Sequence, residues 1–481
     1  MTSRITVNNI ESNSGISSIA LDSGVTINRG SGLNVSGIIT ATTVSATTVN
    51  VGGVLTYEDV TNVDSVGVIT AREGIRIGAG KSIGSDGADV VYYGDGSNLA
   101  GAGVGANDNV NTTGIITAAQ FAPTSGQIVS KNIVINGNFQ INQRATSANN
   151  ANGIHTTDRW AHWFGNTSVT TWTQRVQTTT PGPDAPANEG HRQYFEVVKS
   201  DAGSVATNGY SNFQYNIEAQ DLACSGWDHK SATSYLTLSF WVRQSAASQT
   251  FYGQLRTDDG TAQKYTFAFT ADSTWRKVTV TIPGNSNITI DNDNGKGATI
   301  WIAQWMGTDY TTSGHTLNAW GAYSGSDQCP DMANGYLTST AWFRIAGVQL
   351  EVGPVATPFE HRSYSDELHR CYRYFFMKGF GDGAPIGSGF WWSTSRFMCP
   401  CFFPVRMRTE APVLYQVSGS QYFRIYDDAS GSHVFNTMAV NSQKSSLGIS
   451  LNCEGSLNSS AAAGFLWLNN AAARLGFDCE L

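Results

Sequence analysis

Six aromatic side chains carry the chemistry most legible in this sequence. Trp301, Trp305, Tyr310 and Trp320 fall within twenty residues, among many Gly, Thr, Ser and Asn. Trp391 and Trp392 follow a glycine-rich run that ends at Gly389. Flat rings stack on the C–H faces of sugars, and nearby amides and hydroxyls supply the hydrogen bonds. The chemistry so implied is recognition of a glycan. The competing use is burial in a core or a subunit interface. Neighbouring residues on a strand point to opposite faces, so one of Trp391 and Trp392 must face away from the core. Trp160, Trp241, Trp275 and Trp342 sit at alternating strand positions and are expected in the core.

Catalytic chemistry is thinly supported. Cleaving a glycosidic bond takes two carboxylates roughly 5–10 Å apart. The local acidic pairs, Asp291-Asn-Asp293 and Asp366-Glu367, read as a turn and a helix start. The chain is therefore expected not to be an enzyme and to need no cofactor. Asp291-x-Asp293-x-Gly295 resembles a calcium loop but lacks the distal glutamate, which leaves a structural calcium ion as an open alternative. Gly379-x-Gly381-x-x-Ala384 imitates a dinucleotide fingerprint but follows a helix instead of a strand. The seven cysteines are irregularly spaced, without a CxxC, and read as buried free thiols.

The elements that must position these rings are strands. Charged residues make up only 14%, and polar small residues with 51 glycines take their place. That mixture suits strands and turns better than helix surfaces. The net charge is −8, without a basic patch, so a nucleic-acid partner is not expected. No apolar run reaches the roughly 18 residues of a membrane span, and the first residues lack the apolar core of a secretory signal.

The first quarter differs from the rest. All but four of the aromatic residues, Tyr57, Tyr92, Tyr93 and Phe121, lie beyond residue 130. Gly37-Ile-Ile-Thr-Ala41 recurs as Gly67-Val-Ile-Thr-Ala71 and Gly114-Ile-Ile-Thr-Ala118. Such β-branched runs read as strands, yet small aliphatics without aromatics cannot build a large core in one chain. Either the segment is disordered, or several copies, on a threefold axis, bury their Val and Ile rows against one another.

From residue 131 the pattern becomes that of many short strands. Ser234–Arg243, Tyr265–Phe269, Trp275–Ile282, Thr299–Ala303 and Ala341–Leu350 alternate apolar and polar residues. Over 131–362 this predicts a jelly-roll β-sandwich. Leu368, Cys371, Tyr372 and Phe375 share one helical face, which predicts a linking helix over 363–376. Residues 377–481 return to strands and predict a small C-terminal β-sandwich. The fold class is thus all-β: an elongated intertwined shaft over 31–130, the sandwich, the helix and a tip domain.

Two stretches resemble a known family. Asn132 to Phe139, Gln143-Arg144 and Asp158-Arg159-Trp160 look like the start of a jelly-roll domain of bacteriophage tail fibres. Gly347 to Arg362, then Tyr364, Glu367, Cys371 and Arg373-Tyr374, look like that family's closing signature. The middle strands are similar to carbohydrate-binding modules. The Gly-Ile-Ile-Thr-Ala repeats and Gly94 to Leu99 are similar to fibre proteins of marine cyanobacterial phages. The resemblance implies a homotrimeric tail fibre in the virion. Residues 1–30 would attach to other tail proteins, and the C-terminal domains would meet a host surface glycan or lipopolysaccharide. Its alternatives are a purely structural head fibre or tail connector, and a polysaccharide-degrading tailspike.

Overall fold

Alternating residues build a sandwich of two six-stranded antiparallel sheets. The computed structural model describes residues 33–52, 130–312, 315–332, 340–427, 431–454 and 462–481. The sandwich strands run in order β1 (Ser147–Asn149), β2 (Trp160–Thr167), β3 (Trp172–Thr178), β4 (Gln193–Lys199), β5 (Val205–Glu218) and β6 (Tyr235–Gln244). There follow β7 (Gln249–Thr257), β8 (Gln263–Ala271), β9 (Arg276–Pro283), β10 (Lys296–Met306), β11 (Trp320–Ala322) and β12 (Ala341–Val352). The first sheet has the order β1-β3-β4-β12-β6-β9, and the second β11-β8-β7-β10-β5-β2. Most consecutive strands cross between sheets, which is the jelly-roll arrangement; the exceptions are the paired β3–β4 and β7–β8 and the step from β10 to β11.

The period of two decides what is buried. In β6, Leu236, Leu238, Phe240 and Val242 are fully buried in the core; on the other face Thr237 and Ser239 are also buried, while Trp241 and Arg243 are only partly covered. Rings then meet across the sheets. Phe195 of β4 lies 4.7 Å from Phe213 of β5, and Phe343 of β12 lies 5.0 Å from Phe251 of β7. Trp160 is in this core, as expected. Trp241, Trp275 and Trp342 are not: each is half-buried outside it. Lys277 lies over Trp241, Arg344 stacks 3.7 Å from Trp342, and the Trp275 indole donates to Asp184 at 3.0 Å. Alternation separates two faces but does not say which is inner. Aliphatic stems and guanidinium planes make the outer face hospitable to aromatics as well.

The residues of the two signature stretches close the sandwich into one body. Asn132 donates to the Val348 carbonyl and accepts from the Leu350 amide. Glu360 accepts from the amides of Ser130 and Asn132, and Arg362 donates to the carbonyls of Asn132 and Val134. Gly347 has φ +56°, and a Cβ there would meet the His191 ring at 2.3 Å, so only glycine fits this turn. The signature therefore has a structural role, as a clasp between the two ends of the domain.

The helix is shorter than expected. α1 (Ala185–Asn188) and α2 (Ala219–Ala223) are single turns, and α3 spans Tyr364–Tyr372. Ser363 caps α3, its hydroxyl accepting from the Asp366 amide at 3.1 Å. Phe375 and Phe376, placed by periodicity on the helix, begin the next strand instead. The spacing i, i+3, i+4, i+7 fits one more turn, but antiparallel pairing with Arg474–Asp478 wins. Ser363→Ala is expected to cost about 1 kcal/mol, read from the midpoint of thermal or urea unfolding.

The C-terminal strands form two sheets around one core. β13 (Phe375–Phe380), β14 (Pro385–Ser393), β15 (Arg396–Phe402), β16 (Val413–Val417) and β17 (Phe423–Asp427) come first. They are followed by β18 (Gly431–Phe435), β19 (Ala439–Ser445), β20 (Gly448–Glu454), β21 (Ala463–Leu468) and β22 (Arg474–Asp478). A three-stranded sheet, β13-β22-β16, covers a seven-stranded one, β18-β17-β21-β14-β15-β20-β19.

A buried joint ties this domain to the sandwich. Arg144 reaches Asp478 at 2.9 Å and Asp158 at 3.5 Å. Arg159 binds Glu480 at 2.5 Å and stacks 3.5 Å over the Tyr374 ring. Arg373 pairs with Glu218, which also accepts from the Tyr374 hydroxyl at 2.7 Å. Asn216 donates to the Leu481 carbonyl. Residues described from 130 onward thus belong to one compact unit.

Of the attachment and shaft segments, 1–30 lies outside the described residues, and within 31–130 only 33–52 and Ser130 are described. Residues 33–52 contain no strand, and all are exposed, Ile38 by 93%. Among the described residues the expected strand at the first repeat is not seen, and its small aliphatics lie exposed. No helix among the described residues is long and apolar enough to cross a membrane.

Candidate functional site

The outer face of the second sheet carries a cleft of about 230 Å³. Its floor follows from register, because residues directly opposed on neighbouring strands share a face. Trp163 of β2 opposes Asn212 of β5, and Gln214 of β5 opposes Trp301 of β10. Trp301 in turn opposes Gln254 of β7. The alternate residues Phe213, Tyr215, Ile300 and Ile302 face the core. The inner pattern thus forces the amides, Trp163 and Trp301 outward together.

A connecting segment closes the cleft from above. A 3-10 turn, Thr308–Tyr310, presents Tyr310, whose ring meets Tyr210 edge-on at 6.2 Å. The Gln328 amide donates to the Tyr310 carbonyl, and the Gln328 carbonyl accepts from the buried Gln254 side chain. Tyr323 completes the wall, with the Arg256 guanidinium 4.8 Å from its ring centre. Arg256 is steadied by Asp258 at 3.3 Å. Burial raises the Tyr310 pKa, and the Tyr210 phenol and Asp309 add to the shift, so Tyr310 stays neutral and keeps its O–H donor.

The result is five rings, Trp163, Tyr210, Trp301, Tyr310 and Tyr323, around the side chains of Asn212, Gln214, Arg256 and Gln328. The lining contains no carboxylate. Such a surface offers apolar faces to stack on and amide donors and acceptors at the edge. It does not hold the carboxylate pair that glycoside hydrolysis usually uses. The volume lies below the roughly 300–1,000 Å³ of drug-sized ligand pockets, which suits a single ring or the end of a chain.

The six aromatics singled out in the sequence separate here. Trp301 and Tyr310 line the cleft. Trp305 is buried in the sandwich, its indole N–H without a partner among the described residues. Trp320 pins β11, its N–H donating to the Pro283 carbonyl at 2.6 Å. Trp391 is 1% exposed and donates to Asp427 at 2.7 Å, so it belongs to the core and is withdrawn as a contact residue. Trp392, next to it, is 67% exposed. It lies on the outer face of the seven-stranded sheet with Phe390, Phe402, Tyr426 and Phe465, remote in sequence from the cleft.

Sequence reasoning missed Trp163, Tyr210, Tyr323 and the amides. A usable signal was Tyr210, Asn212 and Gln214 alternating with Ser211, Phe213 and Tyr215, because amides in mid-strand need partners. Which strands lie beside them is set by topology, which spacing does not reveal.

No metal site emerges: among the described residues no group of three or more His, Cys, Asp or Glu is placed to hold an ion. The Asp291–Gly295 loop is a turn in which Asp293 accepts from the Gly295 amide at 2.8 Å. All seven cysteines are free thiols. Six are buried, and Cys224, contrary to expectation, is exposed.

No family model and no curated protein matches this chain. Solved structures with partial likeness include a CBM4 structure, at 11% identity over 45% of this chain and 97% of that one, TM-score 0.23. A family 11 carbohydrate-binding module from Clostridium thermocellum shows 12% identity over 44% of this chain and 98% of that one, TM-score 0.22. The enzymatically active domain of bacteriophage CBA120 tailspike protein 4 shows 11% identity over 46% of this chain and 21% of that one, TM-score 0.24. At such scores these likenesses carry no argument about ligand or activity; the jelly roll rests on the strand order above.

Proposed function

We propose that this chain is a phage tail-fibre protein that recognises a host surface glycan through the cleft on the second sheet, without cleaving it. The observation that carries the reading is the convergence of five aromatic rings with amide and guanidinium side chains in a groove that has no carboxylate. Stacking holds the sugar face, while Asn212, Gln214 and Gln328 select its hydroxyls. Each contact is weak, and many copies per particle multiply them into firm adsorption. The family resemblance of Asn132–Phe139 and Gly347–Arg362 supports a virion protein. The exposed Val and Ile rows of residues 33–52 support a homotrimer in which copies cover one another's aliphatics.

The test is binding of the purified full chain to host cells and their extracted lipopolysaccharide, with reducing-sugar release measured in parallel. Binding without sugar release is expected, together with loss of phage adsorption in the presence of antibodies against the chain. Absence of binding to either, with adsorption unchanged, overturns the reading. Release of reducing ends overturns its non-enzymatic part.

A further inference from the structure

We propose that the cavity at the joint between the two domains is a second binding site, for a small organic anion with an apolar flank, either a sugar carboxylate or a phosphate monoester. It is separate from the sheet cleft and stands or falls independently of it.

The cavity holds about 450 Å³, within the range of small-molecule pockets, and lies at a domain junction, where such pockets are frequent. Its apolar floor is Ile133, Ile135, Val352 and Val405. Its charge is opposite to that of the chain as a whole. Lys131, Arg370, Arg373 and Arg406 line it, with His369, against one carboxylate, Asp221. That carboxyl is pushed above its ordinary pKa by burial and by the neighbouring Glu218.

Pairing shows which cations are committed. Arg373 is engaged by Glu218, and Lys131 donates to Thr357 and the Pro358 carbonyl. Arg406 donates to the Ser446 hydroxyl at 3.0 Å through Nε and meets Glu410 in an exposed pair, of the kind that contributes little. The side chains of Arg370 and His369 have no hydrogen-bond or ion-pair partner among the described residues. Cations at the end of α3 suit the helix dipole. The dipole does not explain why Lys131 and Arg406, from two other segments, converge on the same space. Arg370 presents a planar fork that matches a carboxylate or phosphate bidentately.

Cys224 lies in the cavity wall and is the exposed one of the seven thiols, which makes it a reporter. In the full chain, a thiol-directed chromogenic reagent should label one cysteine rapidly. Millimolar glucuronate or glucose 6-phosphate should slow that labelling several-fold, while neutral glucose should not. Protection by glucuronate alone assigns a sugar acid, and by glucose 6-phosphate alone a phosphate ester. Arg370→Glu combined with Arg406→Glu should weaken binding at least about tenfold with thermal unfolding unchanged, and Tyr310→Ala should leave it intact. The proposal is overturned by absence of protection with both anions, by protection that survives the double charge reversal, or by equal protection with inorganic phosphate, which would leave the apolar floor without a role.

Discussion

Glu480→Ala is expected to destabilise the full chain by about 3–5 kcal/mol, the usual result of removing one partner of a buried pair. Arg159 has a side chain only 1% exposed, and its closest anion is Glu480 at 2.5 Å. Without that carboxylate the guanidinium keeps the Asn216 carbonyl and its contacts with the rings of Tyr374 and Tyr215, none of them an anion. Arg144 loses the third of its three neighbouring anions, 3.6 Å away. Glu480→Gln keeps a hydrogen-bond acceptor and should cost less. Urea midpoints at constant pH check both; a loss under about 1 kcal/mol for the alanine variant would place the pair among solvated ones.

The same joint should make stability depend on pH in an unusual direction. Asp158 is fully buried, and burial pushes its pKa up to about 7 against the pull of Arg144 and two hydrogen bonds from Gln143. An acid whose pKa is higher folded than unfolded binds more protons in the folded state between the two values. Its contribution is therefore most favourable below about pH 4, declines as pH rises to about 7, and is flat above. Asp158→Asn should remove this slope. Any mismatch of its amide with Gln143 adds a constant offset that does not change with pH. The difference between wild-type and variant unfolding free energies across pH 4–8 reads the effect directly; parallel curves would show that Asp158 does not titrate there.

Tyr310→Ala and Tyr323→Ala are each expected to weaken glycan binding about tenfold, and together about a hundredfold, with little change in stability. Both rings line the cleft, and a well-placed aromatic contact is worth roughly 1–2 kcal/mol on truncation. Trp301→Ala would confuse the test, because Trp301 is 4% exposed and its removal also opens a cavity. Trp392→Ala serves as the control, since it lies on the other domain. Calorimetric titration of the bound glycan into each variant measures the effect. Equal affinities for wild type and the double tyrosine variant would move recognition elsewhere.

Local chemistry was readable where one periodicity had one meaning. The runs around Leu236–Val242 and Thr299–Ala303 alternate so regularly that strands, and a sandwich to bury them, follow. Asp366 and Glu367 marked the start of α3, whereas its Ser363 cap was not read from the sequence. Its end was not legible, because Phe375 satisfies a helical period and a strand equally well. Among the six aromatics, sequence proximity proved a poor guide. Trp301 and Tyr310 meet because a strand and a 3-10 turn converge, while Trp305 and Trp320, equally near in sequence, are held in packing. Trp163 joins them from 138 positions earlier through β-pairing alone. The joint was least legible: nothing local to Arg144 or Arg159 indicates that their partners are Asp478 and Glu480.

That separation has a kinetic consequence. Arg144 and Asp478 are 334 positions apart, and Arg159 and Glu480 are 321 apart. Contacts so remote repay the entropy of loop closure only after most of the chain is in place, so they form late and slowly. On a ribosome, the sandwich would emerge with Arg144, Asp158 and Arg159 still hydrated, waiting for the last strand to be made. Closure of the joint is then the step at which the order of synthesis, rather than the strength of any core, sets how soon the two domains become one.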